Sequence, residues 1–168
     1  MAVENIALGT GIFSIGGVPV GLTKGGGQFL VERDYYDIEA DGDFGPVEGR
    51  QQITREVPKL TINGLDLFTA SDMVKSFPGL SKTTGTGIET VTGTLTIAAG
   101  DYVDVQWVGK RKDGKALTIK VDNTLNKANL EWALEDKQEI IQTLEYVGHY
   151  AEASRTTPPW SVVYATAV

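Results

Sequence analysis

Glycine and proline divide this 168-residue chain into short runs in which apolar and polar residues alternate. The chain has 20 glycines and 6 prolines, and the runs between them are rich in threonine and valine. A period of two is typical of strands, because successive side chains point to opposite faces of a sheet. The pattern therefore predicts a single mostly β domain with one short helix.

Tight turns can be placed between several of these strands. Gly16-Gly17 within "IFSIGGVPVGLT" and Asp113-Gly114 each predict a hairpin, since such turns need positive φ. "KGGG" at 24–27 is expected to break the chain before the strand "QFLVERDYYDIEA". Pro58 in the next strand has no N–H to donate, so we expect an edge position or a bulge there.

The middle of the chain holds the predicted helix. "TASDMVKSFPGL" begins with the possible caps Thr69 and Ser71 and ends at Pro78-Gly79. The polar stretch "LSKTTGTGIET" is predicted to be a loop. Two or three strands should follow it, in which alternate apolar residues share a face: Val103, Val105 and Trp107 in one, Leu117, Ile119 and Val121 in another.

Residues 128–150 fit two different structures. Leu130, Leu134, Ile141 and Leu144 recur at roughly helical spacing, and local propensity favours a helix. With a period of two, Leu130, Trp132 and Leu134 share one face, and "EDK" at 135–137 becomes a turn between two strands. The residues alone leave both structures open.

Composition excludes several classes of function. Fifteen basic against 22 acidic residues give a net charge of −7, which argues against a protein that grips nucleic acid. The absence of cysteine excludes disulfides, thiol nucleophiles and cysteine zinc sites. The single histidine, His149, is expected to be structural or solvent-facing. The lysines and arginine around 110–115 are expected to be a solvated turn.

No motif of catalysis or cofactor binding is present in the sequence. There is neither a G-x-S-x-G elbow nor a phosphate-binding glycine loop, so we expect no catalytic residues, no metal and no cofactor. No run approaches the roughly 18 apolar residues of a membrane span. The opening residues lack a basic and then apolar segment, so we expect no secretion signal and synthesis in a cytoplasm.

The stretch "EADGDFGPVEGR" at 39–50 is longer than a tight hairpin needs. Its four carboxylates, three glycines and one proline predict a loop, which extends to residue 52. Asp41 and Asp43 alternate as calcium ligands do. However, Gly45, Pro46 and Gln52 stand where an EF-hand needs its third ligand, its glycine and its glutamate.

The order of these parts resembles a known family. "IFSIGGVPVGLTKGGGQFLVER", "YYDIEADGDFGPVEGR" and "LEDKQEIIQTLEYVGHY" followed by "TTPPW" are similar to segments of the tail tube (major tail) proteins of long non-contractile-tailed bacteriophages. The resemblance implies a β-sandwich or partial barrel with one flanking helix. It implies six-membered rings that stack into a hollow tube for DNA. It also favours two strands, turning at 135–137, in residues 128–150.

The resemblance also implies a place and partners for the protein. Copies of the chain would contact one another within and between rings. Tail tip or initiator, tape measure and tail terminator proteins would be further partners, while DNA passes through without specific binding. The protein would reside in the virion tail after synthesis in the host bacterial cytoplasm, with no membrane contact.

The loop at 39–52 then becomes a candidate contact between rings. Its acids would meet basic groups of a neighbour, such as Arg33, Arg50, Arg55 or Lys59, while Phe44 would fill an apolar pocket. The N-terminal segment 1–11 and the C-terminal arm 151–168 would order on neighbouring subunits. The plainer alternative is that both pack on their own domain. The candidate contact residues are Asp41, Asp43, Phe44, Pro46, Arg50 and Trp160.

Acidic residues are candidates for the wall of the tube. An acidic lumen repels DNA and keeps water between the duplex and the wall, whereas a basic lumen would hold phosphates. The candidates are Glu131, Glu135, Glu139 and Glu145. The alternative is a solvated outer face for these residues.

Other functions remain open at this point. One is a tube subunit of a contractile tail or of a type VI-like secretion machine, although the "TTPPW" arm favours the non-contractile group. Another is a monomeric β-sandwich that binds carbohydrates or host surfaces, for which three tryptophans and six tyrosines offer stacking surfaces.

Overall fold

The computed structural model describes residues 6–66 and 68–167. Its strands are β1 (Ala7–Ile15), β2 (Val18–Pro19), β3 (Thr23–Asp37), β4 (Gln51–Gly64), β5 (Leu80–Gly85), β6 (Ile88–Gly93), β7 (Val103–Arg111), β8 (Ala116–Asn126), β9 (Gln142–Gly148) and β10 (Trp160–Tyr164). Helix α1 spans Ala70–Ser76, and 3-10 turns lie at Ala99–Asp101 and Glu152–Ser154. The predicted mostly β domain with a short helix is confirmed. No helix in the described residues is long and apolar enough to cross a membrane.

The main sheet is antiparallel and divides at β8. Its order is β2-β1-β7-β8-β9-β4-β3. One edge of β8 pairs with β7, while the other edge pairs with β10 along residues 117–121 and with β9 along residues 124–126. Phe29 of β3 meets Trp160 of β10 with ring centroids 5.8 Å apart, so the two branches curl toward each other. This architecture confirms the β-sandwich or partial barrel.

The core draws mainly on alternate residues of β4, β7, β8 and β9, and the partly buried Trp160 and Val162 of β10 pack against it. Its buried apolar residues are Phe13, Val20, Leu60, Ile62, Phe77, Val105, Trp107, Leu117, Val121, Leu144 and Tyr146. Val105 pairs with Val121, and Trp107 with Ile119, so the faces predicted from the alternation of β7 and β8 are correct. Burial of these side chains supplies the main driving force for folding.

The predicted tight turns are confirmed. Gly16 and Gly17 adopt φ of 56° and 82° between β1 and β2. Gly114 adopts φ of 81°, and its N–H donates to the carbonyl of Arg111 at 2.9 Å. Pro58 lies just before the β9-paired part of β4, which begins at Lys59, and this is the edge position that its missing N–H predicts.

Helix α1 forms where its punctuation indicates. Thr69, rather than Ser71, is the N-cap, because its hydroxyl accepts from the N–H of Asp72 at 3.1 Å. The N–H of Phe77 donates to the carbonyl of Met73 and closes the last turn. Gly79 then takes a φ of 69°, which lets the chain turn into β5.

Two predicted interruptions turn out to be part of strands. "KGGG" lies inside β3, which absorbs it as an irregularity between Thr23 and Gly27. The polar stretch at 80–90 belongs to the hairpin β5–β6, turning at Gly87 with φ of 74°. Loop predictions failed here because a hairpin that is exposed on both faces carries no apolar alternation, while its threonines still favour strands.

Residues 128–150 match neither prediction completely. Among the described residues, 127–141 contain no helix and no strand, and the chain turns at Asp136-Lys137, where Lys137 has φ of 62°. The turn and the second strand, β9, are confirmed. The first predicted strand is wrong, because this stretch pairs with no strand: Trp132 packs on Phe68 instead, and Leu130 and Leu134 are exposed.

The N-terminal segment packs on its own domain where it is described. Residues 7–11 belong to β1, which pairs with β7. This is the plainer alternative for residues 7–11, and a contact of the segment 1–11 with a neighbouring subunit stays a prediction. Residues 1–5 and 168 of the predicted terminal segments lie outside the described residues.

We expect Gly148→Ala to destabilise the protein by about 1–3 kcal/mol, the usual cost of overpacking a core. A Cβ at this position would lie 2.7 Å from Cγ of Pro58 and 2.8 Å from Cγ1 of Val121, and both side chains are buried. Urea denaturation should show a lower midpoint with an unchanged slope. Gly9→Ala is the control, since its Cβ meets no atom within 4 Å. Equal midpoints for the two variants would contradict the close packing at the fork of the sheet, the point where β9 and β10 diverge along β8.

Candidate assembly surfaces

The ends of β3 and β4 form a two-stranded segment, residues 33–56, that we call the outer arm. Within it, Arg33 pairs with Glu56 and Asp37 with Gln51, and a bulge lies between Asp34 and Tyr35. Large apolar side chains are exposed here: Tyr35 by 61%, Tyr36 by 57% and Ile53 by 52%. Two strands alone are marginally stable in water, so this exposed apolar arm is suited to being covered by another chain.

The predicted loop at the end of the outer arm is closed by its own hydrogen bonds. The N–H of Ile38 donates to the carbonyl of Arg50 at 3.1 Å. The carboxylate of Asp43 accepts from the N–H of Ala40 and from Nη1 of Arg50, both at 2.7 Å. Asp43 and Arg50 were predicted to contact another ring, and here they stabilise their own loop.

The tip of this loop presents the other predicted contact residues to solvent. Phe44 is fully exposed, at 109% of its reference area. Asp41 and Pro46 are also exposed, on either side of Phe44. The structure therefore brings Asp41, Phe44 and Pro46 together at one tip. Their contact with another subunit stays a prediction.

The basic residues predicted to receive the loop pair within their own chain. Nε of Arg33 lies 2.8 Å from Glu56, and Nζ of Lys59 lies 2.9 Å from Glu32. The hydrogen bond to Glu32 raises the pKa of Lys59. Arg55 lies farther from its partner Asp34, at 3.7 Å. Exposed ion pairs contribute about 0–1 kcal/mol to stability. Arg55 has the longest and most exposed pair of the three, so its pair is the weakest.

Trp160 joins the outer arm to the core of its own domain. Its indole N–H donates to a carboxylate oxygen of Glu56, its ring packs on Phe29, and the guanidinium of Arg33 lies 6.0 Å from its ring centroid. This packing on its own domain is the alternative to an arm that is ordered by a neighbouring subunit. The contact of Trp160 with a neighbouring subunit stays a prediction.

The acidic candidates for a lumen occupy different environments. Glu131 and Glu135 are exposed in the stretch 127–141, and Glu139 pairs with Lys24 at 2.7 Å. Glu145 lies on β9 opposite Thr61. Glu131, Glu135 and Glu139 do not share a strand with Glu145, because the stretch 127–141 is not a strand. Whether any of them lines a tube stays a prediction.

Side-chain contacts hold the stretch 127–141 against the domain. The indole N–H of Trp132 donates to Oε1 of the buried Gln142 at 2.6 Å, and its ring meets Phe68 at 5.6 Å. Lys24 and Glu139 form a third attachment. Sequence reasoning missed these contacts because two of the partners, Phe68 and Lys24, are more than 60 residues away along the chain.

His149 is structural in its surroundings. It follows β9, and its backbone N–H donates to the carbonyl of Asn123 at 3.1 Å. Its ring contacts Tyr102 edge-on, with ring centroids 5.4 Å apart. Burial lowers the pKa of His149, which favours the neutral imidazole.

A groove that the sequence did not predict lies between the outer arm and residues 150–158. It has a volume of about 510 Å³. Its lining residues are Ile53, Thr54, Arg55, Glu56, Tyr150, Arg155, Thr156 and Pro158. Only spatial proximity links these residues, since the two segments lie about a hundred positions apart in the chain. No spacing rule applied to the sequence finds such a site.

Comparison with known proteins gives a structural likeness. The cryo-EM structure of the anti-feeding prophage cap, described as the tube terminating cap, matches this chain with a TM-score of 0.57 and 11% sequence identity. The match covers 98% of this chain and 95% of the cap. No protein-family model and no curated protein sequence matches the chain. At this identity the likeness shows a shared fold.

We expect Asp43→Ala to loosen the loop without unfolding the domain. The variant loses the acceptor for the N–H of Ala40 and for Arg50, and hydrogen bonds to a charged group contribute about 1.5–3 kcal/mol. Amide exchange at Ala40, followed by mass spectrometry, should accelerate by about tenfold or more. Asp41→Ala removes the same charge from the same loop and should leave that exchange unchanged. Equal acceleration in both variants would mean that charge, not this bonding, orders the loop.

The carboxyl of Glu139 should titrate below its ordinary pKa of 4.5, chiefly because Lys24 donates a hydrogen bond to the charged form. A lowered pKa means that this attachment is present above the unfolded pKa and is lost as pH falls through the folded one. NMR titration should show the midpoint returning toward 4.5 in Lys24→Met. Lys137→Met, which removes a lysine two residues from Glu139, should leave it low. A midpoint unaffected by Lys24→Met would contradict the pair.

Proposed function

We propose that this chain is a structural subunit of a phage tail or tail-like particle, which closes into rings and stacks them into a hollow tube. The observation that carries the proposal is the likeness to a tube terminating cap over nearly the full length of both chains. The order of segments in the sequence supports the same role. The finer form of the proposal is a six-membered ring of a tail tube through which DNA passes.

Two features of the described residues support assembly. β3 is an edge strand, which leaves a row of backbone groups that another chain can pair with. The outer arm exposes Tyr35, Tyr36 and Ile53. Contacts between unlike surfaces of identical chains are head-to-tail, and they close into rings when the rotation allows it.

The net charge supports a conduit that DNA does not bind. At −7 per chain, a ring of several copies is strongly acidic, and an acidic wall repels phosphates. On this proposal the protein belongs to the virion tail and works with tail tip, tape measure and terminator proteins. Its task there is mechanical, and we propose no catalysis and no cofactor.

A second candidate is a subunit of the cap that ends a tube, since the matching structure is itself described as a terminating cap. The two roles differ in one physical requirement. A tube subunit must present complementary surfaces at both ends of its ring, so that rings can stack without limit. A cap needs a binding surface at one end only.

Assembly can be measured by light scattering over a concentration series, with negative-stain images of the same samples. A tube subunit gives rings and stacked tubes whose mass rises with concentration. A cap gives single closed rings that do not stack. A monomer at every concentration would contradict assembly without an initiator and favour a monomeric binding module.

A further inference from the structure

We propose that the groove between the outer arm and residues 150–158 receives the tip of the 38–50 loop of a second copy of this chain. This inference rests on the proposed assembly and assigns one of its contacts. Phe44 is the group that enters the groove. Arg55 and Arg155 are the groups that meet the acids beside it.

The shapes of the two surfaces are complementary. Phe44 is fully exposed at the tip of a loop that its own hydrogen bonds hold in shape, and it does not enter the groove of its own chain. The groove of about 510 Å³ has room for a phenyl ring and adjacent backbone. Ile53, Tyr150 and Pro158 give it apolar lining. Anchors of binding are typically aromatic side chains buried in such pockets.

The charges are complementary as well. The loop carries three acids that make no ion pair within the described residues: Glu39, Asp41 and Glu48. Two arginines line the groove, and each forms only a long ion pair at an exposed position. Arg55 lies 3.7 Å from Asp34, and Arg155 lies 3.7 Å from Glu152 with 76% of its side chain exposed. Such pairs contribute little, so both guanidinium groups can exchange them for carboxylates of a second chain.

The carboxylate that also lines the groove does not oppose an acidic loop. Glu56 is held by Arg33 on one oxygen and by the indole N–H of Trp160 on the other. Its side chain is only 11% exposed. The groove therefore presents the positive charges of Arg55 and Arg155 to a ligand. The negative charge of Glu56 is already compensated by Arg33 and Trp160.

The contact is head-to-tail, because loop and groove are different surfaces of the same chain. After one contact forms, one copy keeps a free groove and the other keeps a free loop, so the interaction propagates. Pro46 and the bond between Asp43 and Arg50 reduce the entropy that the loop loses on docking. The segment 150–158 thereby gains a role in assembly without leaving its own domain.

Cysteine cross-linking tests the contact directly, since the chain has no cysteine of its own. The full-length variants Val47→Cys and Thr156→Cys are mixed with a short bis-maleimide, and the 47–156 linkage is followed by peptide mass spectrometry. Val47 lies in the loop beside the anchor and leaves Phe44 and all acids in place. We expect rapid formation of this linkage, and slower formation as salt screens the charges.

Two matched controls make the result specific. Adding Phe44→Ala to Val47→Cys should slow the 47–156 linkage by about tenfold or more, the loss expected on truncating an anchor. Leu95→Cys in place of Val47→Cys offers a position outside the loop that is more exposed, at 103% against 36%, and should nevertheless react slowly. Equal rates for all three mixtures, or no 47–156 linkage at all, would overturn the inference.

Imaging of the unmodified protein separates this contact from the wider proposal. Rings or tubes without the 47–156 linkage would refute the docking site and leave the assembly role standing. The linkage without rings or tubes would establish the contact between copies and refute the tube.

Discussion

Everything else in the structure depends on how β8 is shared between two branches of the sheet. Its outer edge holds β10 along one half and β9 along the other, so the sheet must split there. The split needs close approach, and Gly148 provides it where β9 leaves β8 beside Pro58 and Val121. Because the branches then curl over the same apolar side chains, one core stabilises both.

The fork also explains why the outer arm is left without support. β9 pairs with β4 only from Lys59 to Gly64, so the rest of β4 has β3 on one side. Trp160 compensates at the base of the arm by joining Glu56, Phe29 and Arg33. Beyond that point the arm relies on cross-strand pairs and on the bonds of Asp43, and its apolar side chains remain exposed.

The sequence predicted what local chemistry determines. Glycine pairs, the cap at Thr69 and the alternation of β7 and β8 each depend on residues close in the chain, and all were correct. It failed at 24–27, at 80–90 and at 128–141, where tertiary context decides. An exposed hairpin needs no apolar face, and Trp132 prefers Phe68 and Gln142 to a strand partner. The groove was beyond prediction because its two walls meet only through the fold of β4 against the C-terminal segment.

The arrangement of charges separates folding from association. The basic groups near the outer arm are paired within the chain, most at exposed positions where an ion pair contributes little. Because these cations are already paired, they attract other carboxylates less strongly. On the proposed docking, replacing one carboxylate partner by another costs little free energy. Because the exchange is nearly balanced, the apolar contact decides whether it occurs. On the proposed docking, the apolar anchor supplies affinity, while the complementary charges guide which surfaces meet.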